Sequence, residues 1–200
     1  LDLAAQERQW AVNGAGALNT LAVLANQLAT QSSVVFLGSF LSRCTFAGLA
    51  GHIAGKAALM AQARNLAKEF APLQVRINMV SPGPTATGFW EQLGLNDDEL
   101  DALAEQVGRR LLPGHFLEAA SVARVIVFQL SEGARGVYGQ DWVVDNGYSW
   151  VDDACSSGSG KPPSGGMNAP ACAVSGMRWR SVYGRWKRLR RRHARPSGSS

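Results

Sequence analysis

The chain has 200 residues, of which 46% are hydrophobic, enough for one globular domain with a buried core. Ten of the 20 Lys and Arg residues and none of the 15 acids lie in 154–200, so residues 1–153 have a net charge of −5 although the whole chain has +5. This distribution excludes a strongly basic folded domain. No apolar run approaches about 18 residues, which excludes a membrane span.

The N-terminal residues and the cysteines predict a cytoplasmic protein. Residues 1–3 begin neither a basic nor an apolar leader, so we expect no signal peptide. Cys44, Cys155 and Cys172 are too far apart for a disulfide framework or a zinc site. We therefore expect reducing surroundings and no metal.

Apolar spacing and turn residues predict an alternation of helices and strands. The elements are, in chain order, a helix over 6–28, a strand over 33–37, a helix over 51–70, a strand over 75–80, a helix between Asn96 and Pro113, a helix over 118–130 and a strand over 141–144. The strand 33–37 does not alternate in polarity, so we expect both of its faces to be buried. Such alternation indicates a parallel sheet with helical crossovers. Three strands are few for that sheet, which suggests that part of it is missing.

Two helices have clear sequence signals. Asn96 followed by Glu99 at the third helical position is a capping box, and it predicts where the third helix begins. In the helix over 51–70, an apolar stripe predicts the buried face. The stripe consists of Leu59, Ala63, Leu66 and Phe70.

The composition changes after Trp150. Residues 151–200 are rich in Gly, Ser, Pro and Arg and have no apolar period, which predicts a disordered basic tail. Within the tail, 178–195 mixes cations with aromatic residues, as some segments that bind nucleic acid or acidic membranes do. We favour a solvated tail or translation beyond the natural end of the gene. The organisation is thus a domain at 1–150 and a tail at 151–200.

A spaced set of polar residues follows the first predicted strand. Ser39 comes directly after that strand, His52 lies 13 residues later, and Lys56 four residues beyond His52. Asn13 lies upstream, in the first predicted helix. Taken alone, Ser39 is an ordinary strand-end residue, and His52 and Lys56 merely share a helix face.

A second group follows the next strand, where Asn78-Met79-Val80-Ser81-Pro82-Gly83 leads to Thr85 and Thr87. The last strand ends in Asp145-Asn146-Gly147. In this order the motifs resemble the short-chain dehydrogenase/reductase family over about residues 1–150. The family has a Ser, a Tyr 13 residues later and a Lys four beyond it, then a Pro-Gly stretch ending in Thr, and a closing Val-Asp-Gly-Gly.

The resemblance implies a partial doubly wound, Rossmann-like parallel sheet, its C-terminal half, and NAD(P)-dependent oxidoreduction of a small-molecule alcohol or carbonyl. It implies catalytic roles for Asn13, Ser39, His52 and Lys56, with Ser39 on the substrate oxygen and Lys56 on the nicotinamide ribose. It also implies that NAD or NADP contacts residues that follow the second strand: Pro82, Gly83, Thr85 and Thr87. The complete protein would form a homo-oligomer.

The family's Gly-rich pyrophosphate turn, and the residue that selects NAD or NADP, do not occur in this sequence. Gly14-Ala15-Gly16 is no substitute, because it lies within a predicted helix. The chain thus reads as a fragment that begins in the helix after the family's fourth strand. We expect it to bind NAD(P)H weakly, and we expect the strand 33–37 to expose an unpaired edge.

His52 stands where the family has Tyr. Imidazole exchanges protons near neutral pH, but it reaches roughly 2 Å less far than a phenol, and about 1 Å of misplacement can cost ~10²-fold in rate. A neighbouring Lys56 also disfavours the imidazolium. We therefore predict at most weak dehydrogenase activity.

Three alternatives stay open. A Ser39–His52 hydrolase lacks the Gly-x-Ser-x-Gly elbow and a positioned acid. Thr87 could simply cap the segment that follows it. The chain could also be a non-catalytic remnant or interaction protein that uses the family's dimer helices. Close helix packing would then involve small residues of the helix over 51–70, namely Ala57, Ala58, Ala61 and Ala67.

Overall fold

The computed structural model describes residues 2–150, so the predicted disordered tail lies outside the described residues. The α-helices and strands are, in chain order, α1 (Leu3–Trp10), α2 (Gly16–Leu24), β1 (Ser33–Leu37), α3 (Ala50–Glu69), β2 (Arg76–Pro82), α4 (Asp97–Gly108), α5 (Ala119–Leu130) and β3 (Asp141–Val144). The predicted order of elements is confirmed. The described residues divide into two compact units: 2–83 with Ala119–Asp145, and Pro84–Glu118 with 146–150.

The first unit is built on a parallel sheet in the order β1-β2-β3. Val35 of β1 lies opposite Asn78 of β2, and Val80 of β2 lies opposite Trp142 of β3. Parallel neighbours need a crossover, which α3 supplies between β1 and β2. The carboxyl ends of all three strands therefore lie at the same edge of the sheet, and the predicted α/β class is confirmed.

The core of this unit forms where α2 and α3 pack on the sheet. Its buried members are Leu21, Phe36, Leu59, Ala63, Ala67, Val75, Ile77 and Met79. The predicted stripe of α3 is confirmed, because Leu59 and Ala63 belong to the core and Leu66 and Phe70 pack against it. Ala67 was predicted on an exposed interaction surface, and that was wrong. It lies four residues after Ala63 and so shares the inward face.

β1 is less buried than its apolar sequence predicts. Only Phe36 of its five residues is buried, and Leu37 is 51% exposed. The expectation of two covered faces was wrong, because only the face with Val34 and Phe36 packs on the core. β2, by contrast, continues two residues beyond its predicted end, because Ser81 and Pro82 pair with β3.

The predicted first helix, 6–28, is interrupted. A π-helical turn, Ala11–Ala15, separates α1 from α2, and a 3-10 turn, Ala25–Gln27, follows α2. A π-helical turn widens the helix by one residue and is frequent at functional sites. Gly14 lies in this turn against the Trp10 ring, where a Cβ would come within 2.6 Å of Trp10 Cε3. Asn13 is part of the same turn.

Arg76 joins β2 to the end of α5. Its side chain is buried and donates to the carbonyls of Gln129 at 2.8 Å and of Ser131 and Ala134 at 3.0 Å. The last carbonyls of a helix have no partner within the helix, and a cation is favourable at that end. Arg76 thus caps α5 from the sheet.

Asn78 ties β2 to the segment that enters β3. Its amide nitrogen donates to Val137 O at 2.8 Å, and its oxygen accepts from Gln140 N–H at 3.0 Å. The side chain is fully buried, so both of its polar atoms are matched where water cannot reach. β3 follows directly.

The second unit contains α4 and the segments on either side of it. The predicted capping box is confirmed, since Asn96 Oδ1 accepts from Glu99 N–H at 3.0 Å and Glu99 Oε2 accepts from Asn96 N–H at 2.8 Å. Trp90 packs against Phe116 with ring centroids 5.0 Å apart. No helix in residues 2–150 combines the length and the apolar content needed to cross a bilayer.

Candidate active site

Ser39 lies just beyond the carboxyl end of β1 and is buried. It caps a 3-10 turn, Phe40–Arg43, in which its Oγ accepts from Leu41 N–H at 3.3 Å. Its carbonyl accepts from Ser42 Oγ at 2.8 Å. Because the hydroxyl accepts within the turn, its own proton can be donated to a ligand oxygen.

Lys56 reaches the same strand end from α3. Its Nζ donates to Leu37 O at 2.8 Å, two residues before Ser39. Burial lowers the pKa of Lys56 from its ordinary value, since a partly dehydrated ammonium is less stable than a hydrated one. The contact places a cation where the carboxyl ends of strands in open α/β sheets meet ligands.

His52 lies on α3 one turn before Lys56 and is half-buried. Burial lowers the pKa of His52 below its ordinary 6.5, and the positive charge of Lys56 lowers it further. The imidazole is therefore mostly neutral at pH 7. A neutral imidazole has one nitrogen that accepts a proton and one that donates a hydrogen bond.

Asn13 approaches the stretch of α3 between these two residues. Gly55 is buried there, and a Cβ on it would lie 2.9 Å from Asn13 Cβ and 3.2 Å from Gly14 N. Only glycine, which has no side chain, allows α3 to approach the π-helical turn this closely. Asn13 Nδ2 donates to Gln9 Oε1 at 2.7 Å.

Pro82 is the last residue of β2, the strand next to β1 in the sheet, and Gly83 follows it. Gly83 N–H donates to Val144 O at 2.8 Å, and a side chain on Gly83 would overlap Asp145. Gly83 therefore lets the chain leave β2 directly over the end of β3. Its predicted role towards a cofactor stays a prediction.

Thr85 and Thr87 belong to the second unit. Thr85 forms a parallel bridge with Leu117, and its carbonyl accepts from Trp90 Nε1 at 2.7 Å. Thr87 caps a 3-10 turn, with Oγ1 accepting from Phe89 N–H at 3.4 Å. The capping alternative for Thr87 is thus what the structure shows. Contact of either Thr with a cofactor stays a prediction.

The first unit contains six of the eight predicted site residues, and contacts join the elements that carry several of them. Lys56 is bonded to the strand that ends before Ser39, and the Asn13 turn packs on α3 between His52 and Lys56. Sequence reasoning missed Gly55. The signal was available, because glycine inside a helix costs roughly 1 kcal/mol relative to alanine and so points to a packing reason.

The resemblance implies a nicotinamide cofactor, and the donor set of the first unit fits its ribose. An ammonium has three N–H donors, and Leu37 O accepts from one in Lys56, which leaves donors for ribose hydroxyls. Among residues 2–150, no three His, Cys, Asp or Glu side chains are grouped so that they could hold a metal ion.

Comparison with known proteins identifies the family of the chain. Residues 1–149 match the family model described as Enoyl-(Acyl carrier protein) reductase. Tropinone reductase-like 1 of Erythroxylum coca is 35% identical over 114 residues, 56% of this chain and 41% of that protein. The 2,3-dihydro-2,3-dihydroxybenzoate dehydrogenase of Escherichia coli (strain K12) is 31% identical over 147 residues, 70% of this chain and 59% of that protein. A small-chain dehydrogenase solved in complex with NADPH superposes with a TM-score of 0.68 at 28% identity, covering 74% of this chain and 65% of that one.

The chain belongs to the short-chain dehydrogenase/reductase family. Its parallel sheet and helices form the Rossmann-like fold of its structural neighbours. The chain spans about half the length of the curated relatives that it matches, between 41% and 60% for the first three.

Proposed function

We propose that this chain provides the catalytic part of an NAD(P)-dependent oxidoreductase that interconverts an alcohol and a carbonyl. The observation that carries the proposal is the 2.8 Å contact of Lys56 Nζ with Leu37 O, which brings a cation to the strand end from which Ser39 projects. Family membership supports it, as does the NADPH complex of one structural neighbour.

Each residue has a part to perform. Ser39 donates its hydroxyl proton as a hydrogen bond to the substrate oxygen, and Lys56 binds the nicotinamide ribose. His52 exchanges the proton of the alcohol, and Asn13 supports the path of that proton towards solvent. NAD or NADP, when bound, supplies the hydride donor or acceptor. The cofactor contacts four residues at and beyond the end of β2: Pro82, Gly83, Thr85 and Thr87.

The charge state of His52 sets the favoured direction. Its pKa lies below 6.5, so at pH 7 the imidazole is mostly a base and seldom an acid. Alcohol oxidation needs a group that takes a proton, whereas carbonyl reduction needs one that gives it. We therefore expect oxidation to be faster than reduction at neutral pH, with a rate that rises as pH increases through the lowered pKa of His52.

The test is turnover by the full chain and its His52→Tyr variant. Both directions are measured. Alcohol oxidation is followed by the reduction of NAD⁺ or NADP⁺ with a panel of alcohols, and carbonyl reduction by the oxidation of NADH or NADPH with a panel of carbonyls. We expect weak wild-type turnover and an increase of about 10²-fold in His52→Tyr, the scale of a well-placed general acid-base group. Lys56→Met should abolish it, and Arg64→Met, an exposed change on the same helix, should not. A wild type that already turns over like typical members of the family, and that His52→Tyr does not improve, would contradict the prediction that His52 leaves only weak activity.

A second candidate is a non-catalytic protein that acts through homo-oligomerisation, with a small-molecule site retained but silent. The observation that favours it is His52 in the family's Tyr position. Ala57, Ala58 and Ala61 of α3 are the small residues that such a helix contact would use. No turnover in either direction, together with a dimer measured by light scattering, would favour this candidate. We place either function in the cytoplasm, with no role for nucleic acid at 178–195.

A further inference from the structure

The segment that we call the Ser39 turn consists of Ser39 and the 3-10 turn Phe40–Arg43, and it is held at both ends. At its first end, Gly38 N–H donates to Val80 O at 2.7 Å. Gly38 also lies directly on the side chains of Ser81 and Met79, where even a Cβ would overlap. Strand β2 thus fixes the backbone that enters Ser39.

The other end of the turn is fixed by an ion pair. Arg43 Nη2 donates to Asp141 Oδ2 at 2.9 Å, although the two residues are 98 positions apart. The second carboxylate oxygen of Asp141 accepts from Ser81 Oγ at 2.6 Å. Ser81 therefore contacts both supports, namely Gly38 at the start of the turn and Asp141 at its end.

The burial of Asp141 distinguishes this pair from a surface salt bridge. The Asp141 side chain is 2% exposed, whereas that of Arg43 is 44% exposed. A buried carboxylate strongly needs a partner, and Asp141 accepts hydrogen bonds from both Arg43 and Ser81. Exposed pairs, by contrast, contribute little and are easily exchanged for water. Asp141 therefore binds the guanidinium firmly enough to restrain the turn.

We infer that Arg43 is a positioning residue for Ser39. Through buried Asp141 it fixes the far end of the Ser39 turn, so that the Ser39 hydroxyl is presented in one orientation to the substrate oxygen. The inference rests on the proposed function, because Ser39 must bind that oxygen. Without Arg43 the far end of the turn loses its ion pair with Asp141, and the hydroxyl samples more orientations.

Activity tests the inference through a double-mutant cycle on the full chain. Arg43→Met should lower kcat about tenfold with little change in KM, as a loss of orientation at the reacting atoms does. Arg43→Lys, which restores one donor to Asp141, should recover most of the rate. In a Ser39→Ala background, Arg43→Met should have almost no further effect, because the residue acts through Ser39. A full tenfold loss in that background would overturn the inference, and so would no loss in either.

Amide hydrogen exchange tests the restraint of the Ser39 turn by Arg43 independently of turnover. The N–H groups of Leu41, Ser42 and Cys44 are bonded within the turn, so Arg43→Met should raise their exchange rates at least about tenfold. Arg64→Met is the control that should leave them unchanged. If the wild type turns over nothing but these rates rise, the proposed function fails and the restraint of the turn stands. If the rates do not rise, the inference fails, whatever the activity.

Discussion

Gly55→Ala tests whether the approach of α3 to the π-helical turn positions the site. The new Cβ would lie 2.9 Å from Asn13 Cβ and 3.2 Å from both Asn13 C and Gly14 N. Two of these three atoms are backbone and cannot rotate away. The helix or the turn must therefore move by about 0.5 Å or more before the contact reaches the ordinary separation of carbon atoms.

Two opposing effects set the size of the stability change. Overpacking costs about 1–3 kcal/mol, and replacing a helical glycine with alanine returns up to about 1 kcal/mol. We expect a net loss near 1 kcal/mol in the free energy of unfolding. A shift on the order of 0.5 Å between Asn13 and the His52–Lys56 stretch should also lower kcat about tenfold, given that about 1 Å costs ~10²-fold.

Gly51→Ala is the matched control on the same helix. A Cβ on Gly51 would lie 2.7 Å from Gln6 Oε1, the far end of a flexible side chain that can move aside, and 3.1 Å from Gln9 Cβ. Because no backbone atom is in the way, Gly51→Ala should cost less stability than Gly55→Ala, and it should leave kcat unchanged. Urea unfolding of both variants and steady-state kinetics measure these effects. If Gly55→Ala proves at least as stable as Gly51→Ala, the close approach does not constrain the site and the reasoning is wrong.

Three further predictions concern stability and protonation. Arg76→Met should lower the free energy of unfolding, measured by urea titration, by about 3 kcal/mol or more, because three carbonyls lose a charged donor. Arg135→Met removes an exposed ion pair and should change the same quantity by less than about 0.5 kcal/mol. Leu59→Ala should cost about 2–5 kcal/mol, and exposed Val23→Ala far less, as followed by circular dichroism. The pKa of the His52 imidazole, measured by NMR, should lie below 6.5, and it should rise in Lys56→Met. The free energy of unfolding should fall as pH drops from 6.5 through this lowered pKa, because the unfolded chain binds the proton more readily. A His52 midpoint that Lys56→Met leaves unmoved would refute the charge effect.

Local signals in the sequence were sufficient for much of the fold. The strand Asp141–Val144 was predicted with its observed bounds, and the capping box at Asn96 and Glu99 fixed the start of α4. Both depend on residues within a few positions of one another. The motif from Ser39 to Lys56 was equally local, since strand, turn and helix follow directly in the chain.

Features that depend on distant residues were not predictable. The exposure of Leu37 depends on which strands neighbour β1, and the extension of β2 to Pro82 depends on pairing with β3. In the sequence, Arg43 and Asp141 are two ordinary charges, because nothing local indicates that residues 98 positions apart form an ion pair. The π-helical turn at Ala11–Ala15 could not be foreseen either, since glycines in a helical pattern indicate only weak propensity.

The fully buried amide of Asn78 bears on how the chain folds. β3 has only four residues, and its partners on β2 are more than 60 positions away, so closing this contact is entropically costly and slow. Asn78 offers an acceptor and a donor that match only Gln140 N–H and Val137 O. A slip of β3 by one residue would leave both atoms unsatisfied and turn its side chains to the opposite faces. Asn78 therefore favours the one alignment of β3 on β2 in which both polar atoms of its amide are bonded.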